Sequence, residues 1–371
     1  MKILQYIISF LLICNIPGII LLSYGDGMGS LFSYLTLSLL LFFYAINKKH
    51  TLPWPFVIFA LIYYVISGLV HVPDEKYYYI DIIKYLIIII CGAELARRTT
   101  VKDLLILFII GCSSILINAF FFPMDYGRYS GFFLDPNAAG FACLIGVTLS
   151  FSIKNEKWKN ICLIFLTFCG VLTFSRTFLL LWLVIALIST FQNKKNSKIF
   201  IGGFFAMFLL LSIASTLSLN SDRLNILDSL FEKGKLDNSV NSDSRTETWS
   251  KYYDLIFESP VFGNGYETFT SDYIYETGVH NNYLRVLGEG GIIPFLIFVW
   301  IFLYILFKSF KTFKTKPHEF LLALSLVVVG LTNHNFDTIH HVTFVSIWMY
   351  LMVKKEKTVD SENTETKDIL A

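Results

Sequence analysis

The chain is punctuated by apolar stretches of membrane-spanning length, and the polar connections between them alternate between basic and nearly cation-free. A helix that crosses a ~30 Å hydrocarbon core needs ~20 mostly apolar residues, and fewer when neighbours bury its ends. Twelve stretches meet that need, at residues 3–22, 30–46, 54–72, 80–96, 104–122, 136–153, 161–172, 177–191, 199–217, 290–307, 321–334 and 342–353. Lys48-Lys49, Arg97-Arg98 with Lys102, Lys154 to Lys159, Lys194 to Lys198, Lys308 to Lys316 and Lys354 to Lys357 fall on every second connection. Positive charge retains short loops in the cytoplasm, so this pattern puts both termini and all the basic loops on the cytoplasmic side. A missed or extra helix would break the alternation, so charge and hydropathy check one another.

The composition agrees. Of 371 residues, 55% are hydrophobic and 16% charged, against ~25% charged in a soluble globular chain. A net charge of +2 gives no reason to expect a nucleic-acid partner. The six cysteines sit in apolar runs without CxxC spacing, which argues against disulfides and zinc. The first stretch, behind Lys2, lacks a small-residue cleavage pattern and reads as a transmembrane helix, not a signal peptide. The expected fold class is all-α, a polytopic membrane protein with about 12 transmembrane helices and one large periplasmic loop. Residues 1–217 would hold helices one to nine, 218–289 the loop, 290–353 helices ten to twelve, and 354–371 a disordered cytoplasmic tail.

Within the loop, Ser244-Arg245-Thr246-Glu247 has capping-box spacing, and Trp249, Tyr252, Tyr253, Ile256 and Phe257 follow at helical periodicity. This predicts an amphipathic helix with an aromatic face suited to the headgroup layer, ended by Ser259-Pro260. A turn at Gly263-Asn264-Gly265 follows.

Cations on the outer side are few. Arg128, Arg176 and Arg245 stand where the positive-inside bias would not place them. An arginine at the bilayer rim can simply snorkel to water. Its planar fork also fits phosphate in a bidentate manner, which would give all three one job on a lipid phosphate. Asp135-Pro136 is ordinary helix-start grammar, and residues 172–177 form a tight turn that would hold Arg176 at the surface. His280 begins the return to the membrane at His280-Asn-Asn-Tyr-Leu284; an imidazole there could transfer protons or merely hydrogen-bond. Glu289 lies four residues after Arg285, so a local salt bridge explains it as well as chemistry does. Asp81 and Lys84 should pair near the outer end of their helix. His334, Asp337, His340 and His341 have ligand-type side chains but no metal-site spacing; hydrogen bonding or a polar cavity is the better expectation. Walker, GxGxxG and HExxH motifs are absent.

Three ordered stretches resemble the superfamily of O-antigen polymerases and O-antigen ligases. They are Arg128-Tyr-Ser-Gly-Phe-Phe-Leu-Asp-Pro-Asn137, then Thr173-Phe-Ser-Arg-Thr177, and last Arg245 with Gly263-Asn-Gly265, His280-Asn-Asn-Tyr-Leu284 and Glu289-Gly-Gly291. The resemblance covers most of the chain from Arg128 onward. It implies transfer of a glycan from an undecaprenyl-pyrophosphate-linked oligosaccharide at the periplasmic face of a bacterial inner membrane, with no cofactor and no metal. It further implies His280 as general base and Arg176 and Arg245 as catalytic cations, with Arg128, Asn137, Asn281, Tyr283 and Glu289 on the substrate. Partners would be the lipid-linked glycan, membrane lipid and a polysaccharide chain-length regulator. Polymerase is the preferred activity, O-antigen ligase the alternative, and a third branch of the family glycosylates protein. A secondary transporter or flippase would show internal repeats and matched Gly/Pro-broken helices, which the halves of this chain lack.

Overall fold

The computed structural model describes residues 1–48, 50–122, 127–212, 245–270, 275, 278–333 and 335–368, and among them every regular element is an α-helix or a short 3₁₀ turn. The helices are α1 Lys2–Ile13, α2 Ile16–Tyr24, α3 Asp26–Ile46, α4 Trp54–Val70, α5 Glu75–Arg98, α6 Val101–Phe121, α7 Pro136–Ser150 and α8 Glu156–Leu172. They continue with α9 Arg176–Gln192, α10 Lys198–Ser212, α11 Arg245–Glu258, α12 Asn282–Gly290, α13 Ile292–Lys311, α14 Pro317–Gly330 and α15 His340–Asp368.

Eleven of the twelve expected stretches coincide with one helix each; the first is split. Its halves, α1 and α2, are bent by 58°. Asn15 between them takes a left-handed backbone (φ 50°), and Pro17 in the first turn of α2 has no amide to continue the ladder of α1. Among the described residues, α3, α6 and α13 are long and apolar enough to cross a bilayer alone, and the α1–α2 pair together makes a fourth. Shorter apolar helices are α4, α7, α9 and α14. Helix α15 runs on to Asp368. No glycine or proline follows Lys354 to stop it.

Helix α7 lies at the centre, buried at every position from Ala138 to Ser150. Its small residues let backbones approach closely, the usual device where lipid removes the hydrophobic drive between helices. A Cβ on Gly140 would stand 2.9 Å from Ser175 Cβ and 3.1 Å from Phe178 Cβ, and one on Gly170 of α8 would run into the Phe178 ring. Helices α7, α8 and α9 are therefore pressed together, which fixes the turn from Thr173 to Arg176 against the start of α7.

The loop region is anchored twice. Helix α11 buries Tyr252 and Ile256 against Phe269 and Val279, forming a small second core. Tyr253 and Phe257 point away, exposed by 39% and 77%. The single aromatic face expected from sequence is thus split, because successive helical positions are ~100° apart. The Gly263-Asn264-Gly265 turn then latches onto α12: the Asn264 and Gly265 amides donate to the carbonyls of Gly288 (2.7 Å) and Glu289 (3.1 Å). Gly263 and Gly265 both have positive φ, and a Cβ on either would meet backbone or side chain at 2.5 Å. Ser244 and the rest of 213–244 lie outside the described residues, so the capping-box expectation falls there in part.

Arg285 ties these parts to the bundle. It is 2% exposed; Nε donates to Glu289 Oε2 at 3.0 Å, while the two terminal nitrogens donate to the Asp337 carboxylate at 2.7 and 3.1 Å. Glu289 also accepts from the Phe269 amide (3.1 Å) and the Tyr63 hydroxyl of α4. The expected Asp81–Lys84 pair forms at 4.0 Å, and Tyr266 donates to Asp81 at 3.1 Å. Removing one partner of a buried pair costs about 3–5 kcal/mol because the other charge is left uncompensated. Asp337→Ala should lower the thermal midpoint of detergent-purified protein strongly; an unchanged midpoint would show that the pair does not hold the fold.

Glu267, in the loop, has its carboxyl pushed above the ordinary range by burial; Arg285 opposes this, and Asp81, Glu289 and Asp337 add to it. A folded pKa above the unfolded one means stability that is full at low pH and lost as pH rises through the folded pKa. At neutral pH the ionised group is therefore a cost. Glu267→Gln should raise the melting temperature at pH 7–8, with the gain vanishing below about pH 4, where the unfolded carboxyl is itself protonated. A gain that stays the same across that range would contradict the assignment.

Candidate functional site

Three segments at the end of the bundle opposite the basic loops share one local plan. Leu134, Phe174 and His280 each take a left-handed backbone (φ 64°, 48° and 48°), uncommon for residues other than glycine. Each is followed at once by a helix cap. Asp135 accepts from the amides of Asn137 (2.9 Å) and Ala138 (2.8 Å), Ser175 from Phe178 (3.4 Å), and Asn281 from Tyr283 (2.9 Å) and Leu284 (3.1 Å). The left-handed residue turns the chain sharply, and the cap starts α7, α9 or α12. Conserving such conformations costs about 1 kcal/mol or more each, and they concentrate where a site must be held in place.

Arg128 approaches the first two of these turns. It is buried, with Nε donating to the Thr173 carbonyl (3.2 Å) and a terminal nitrogen to Asn137 Oδ1 (3.3 Å). Ser175 donates to the same Asn137 oxygen at 3.1 Å. Asn137 therefore clamps Arg128 to the α8–α9 turn, and the next residue, Arg176, stands exposed at the first position of α9. Arg245 begins α11 and bridges the other two parts: its guanidinium donates to the carbonyls of Thr332 (2.6 Å), just after α14, and His280 (3.4 Å). The His280 side chain is exposed.

The arrangement brings Arg128, Asn137, Ser175 and Arg176 together as one group and Arg245 and His280 as another. Arg245 reaches the connection from α14 to α15 at Thr332, and Asp135, at the turn into α7, shares a cavity with Thr338 of that connection and with His340 of α15. Helices α7, α9 and α11 all start here, and the positive end of a helix favours phosphate. Arg176 and Arg245 sit in the first positions of two of them.

Three residues expected on the substrate are committed to the protein. Asn281 Oδ1 caps α12, the Tyr283 hydroxyl donates to the Val327 carbonyl of α14 at 3.0 Å, and Glu289 is fully buried in the Arg285 network. The salt bridge from Arg285 to Glu289 is the one that their four-residue spacing predicts. Asp337 belongs to that network as well, so the ligand-type residues of the α14–α15 connection are divided between two structures; His334 lies outside the described residues. Ser175, in the turn expected at residues 172–177, is the cap of α9, and a serine before an apolar helical run is the signal for it. The role of Asp337 had no local signal, because its partner is 52 residues away.

No curated protein matches the chain at a significant level. Residues 161–299 match the family model described as O-antigen ligase, from α8 into α13. That segment contains Arg176, Arg245 and His280, while Arg128 and Asn137 precede it. Over residues 161–299 the chain is thus similar to the O-antigen ligase family, which supports the resemblance to the O-antigen polymerase and ligase superfamily.

Proposed function

We propose that the protein polymerises oligosaccharide repeat units at the periplasmic face of a bacterial inner membrane, transferring a glycan from an undecaprenyl pyrophosphate carrier to a sugar hydroxyl. What supports this reading is that Arg128, Arg176 and Arg245 each stand at or beside the start of a helix, and that the exposed His280 adjoins Arg245. His280 takes the proton of the acceptor hydroxyl as that oxygen attacks the anomeric carbon. The bond from that carbon to the pyrophosphate oxygen breaks, and the leaving oxygen keeps the electron pair. Guanidinium groups fixed in place stabilise the negative charge without reorganising, which is where such a site gains most of its rate. Arg128 is held by Asn137 and Thr173, and Arg245 by Thr332, so their positions are set before substrate arrives. Direct displacement inverts the anomeric carbon. The carrier bond supplies the driving force, so the scheme uses neither a nucleotide sugar nor a metal.

A second reading, ligation of the finished glycan to a lipid A core sugar, is favoured by the description of the matching family. The two activities differ only in the acceptor. Cells lacking this chain should show a single repeat unit on a surface-polysaccharide gel where a ladder stood. Loss of all core-linked glycan, with long chains left on the carrier, would indicate the ligase, and an unchanged profile would refute both.

Within the active protein, Arg176→Ala should lower turnover by about 10²-fold or more, as removal of a preorganised donor does. His280→Ala should lower it by roughly 10²–10⁴-fold, the contribution of a general base. Both variants should insert and accumulate as the wild type does. Normal ladders from both would refute these assignments.

A further inference from the structure

The end of the bundle opposite the arginines carries a groove that takes no part in glycan transfer. It lies between α8 and α10, encloses about 320 Å³, and has Leu163 and Ile164 of α8 and Ile199 and Phe205 of α10 in its walls. One water needs only ~10–15 Å³ on this scale, so the space takes a length of hydrocarbon chain. The two helices touch beside it at Gly202, where a Cβ would stand 2.9 Å from Ile164 Cγ1. Ile164, Ile201 and Phe205 are exposed. The groove therefore opens outward, toward lipid in a chain that crosses a membrane.

Polar groups line it at one end. Lys198 is the first residue of α10, and Asn160 lies in the second turn of α8. Phe205 is seven residues farther along α10, ~10 Å at 1.5 Å per residue. Lys198 is exposed and makes no ion pair among the described residues. The carboxylate near it, Glu156, is taken by Lys159 at 2.8 Å. Residues 154–160 and 193–198 together hold six lysines and one glutamate. Trp158, also exposed, marks this level as the boundary between hydrocarbon and water. Lysines in such a place retain loops in the cytoplasm whatever else they do. The groove adds a defined seat. A cation at its mouth and apolar walls below it complement a molecule with an anionic head and a hydrocarbon tail.

We infer that this groove seats one anionic phospholipid of the cytoplasmic leaflet, its phosphate at Lys198 and one acyl chain along α8 and α10. The Asn160 amide, which has no hydrogen-bond partner among the described residues, adds a donor at the level of the head.

The test places the full-length protein in mixed micelles with equal amounts of phosphatidylglycerol, which is anionic, and phosphatidylcholine, which carries no net charge. Native mass spectrometry reads the lipid that stays bound. Wild type should hold one phosphatidylglycerol per chain in preference to phosphatidylcholine. Lys198→Gln should lower that retention roughly fivefold, the weight of one lysine beside an anionic surface, and Lys198→Arg should keep it. Ile164→Trp fills the groove from an exposed position and should abolish it. Lys311→Gln, at the same end of the bundle but outside the groove, should leave it unchanged. Equal retention of the two lipids by wild type, unchanged retention in Ile164→Trp, or equal losses in Lys198→Gln and Lys311→Gln would overturn the site. A wild type that runs as a dimer without lipid, and as a monomer once Ile164→Trp is made, would overturn it in favour of a second copy of the chain.

Discussion

The part of the candidate site around Arg245 and His280 rests on a guanidinium that is sealed inside the protein. Arg285 is sealed inside the protein with Glu289 on its own helix and Asp337 on the α14–α15 connection. Those two carboxylates, the Tyr63 hydroxyl and the Phe269 amide draw α4, α12, the loop and the last two helices to one point. A buried ion pair is weak evidence for net stability, since desolvation offsets most of its attraction. What it supplies here is position. The α14–α15 connection that it pins carries the Thr332 carbonyl that anchors Arg245.

The functional side chains are then set by short-range geometry. A left-handed residue followed by a capping side chain occurs at Leu134-Asp135, Phe174-Ser175 and His280-Asn281. Each unit ends one backbone direction and begins a helix within two residues, so the side chain on that turn or in the first helical turn is presented with little freedom. Close packing among α7, α8 and α9, made possible by Gly140 and Gly170, holds two of these units against each other. Arg128 then spans them through Asn137 and Thr173. The backbone strain is local, and the packing around it is what sustains it.

Much of this was legible in the chain. Apolar length located the helices because lipid requires every backbone polar group to be satisfied within its own segment. The helix-start grammar of Asp135-Pro136, the Gly263-Asn264-Gly265 turn and the Arg285–Glu289 spacing are all local, and each has its expected structure. Errors arose where distant parts of the chain decide. The aromatic face of α11 is split because Phe269 and Val279 select Tyr252 and Ile256. The first apolar stretch reads as one helix, yet Asn15 and Pro17 bend it.

The sequence by itself determined an all-helical, membrane-compatible architecture and the starts of its helices, since hydropathy and caps act over a few residues. Tertiary structure alone decided which polar residues remain available. Asn281, Tyr283 and Glu289 are taken up by a cap, a carbonyl and a buried ion pair, whereas Arg176 and His280 stand exposed. Whether a polar group is spent or free depends on partners brought from up to 226 residues away, and no local pattern encodes that.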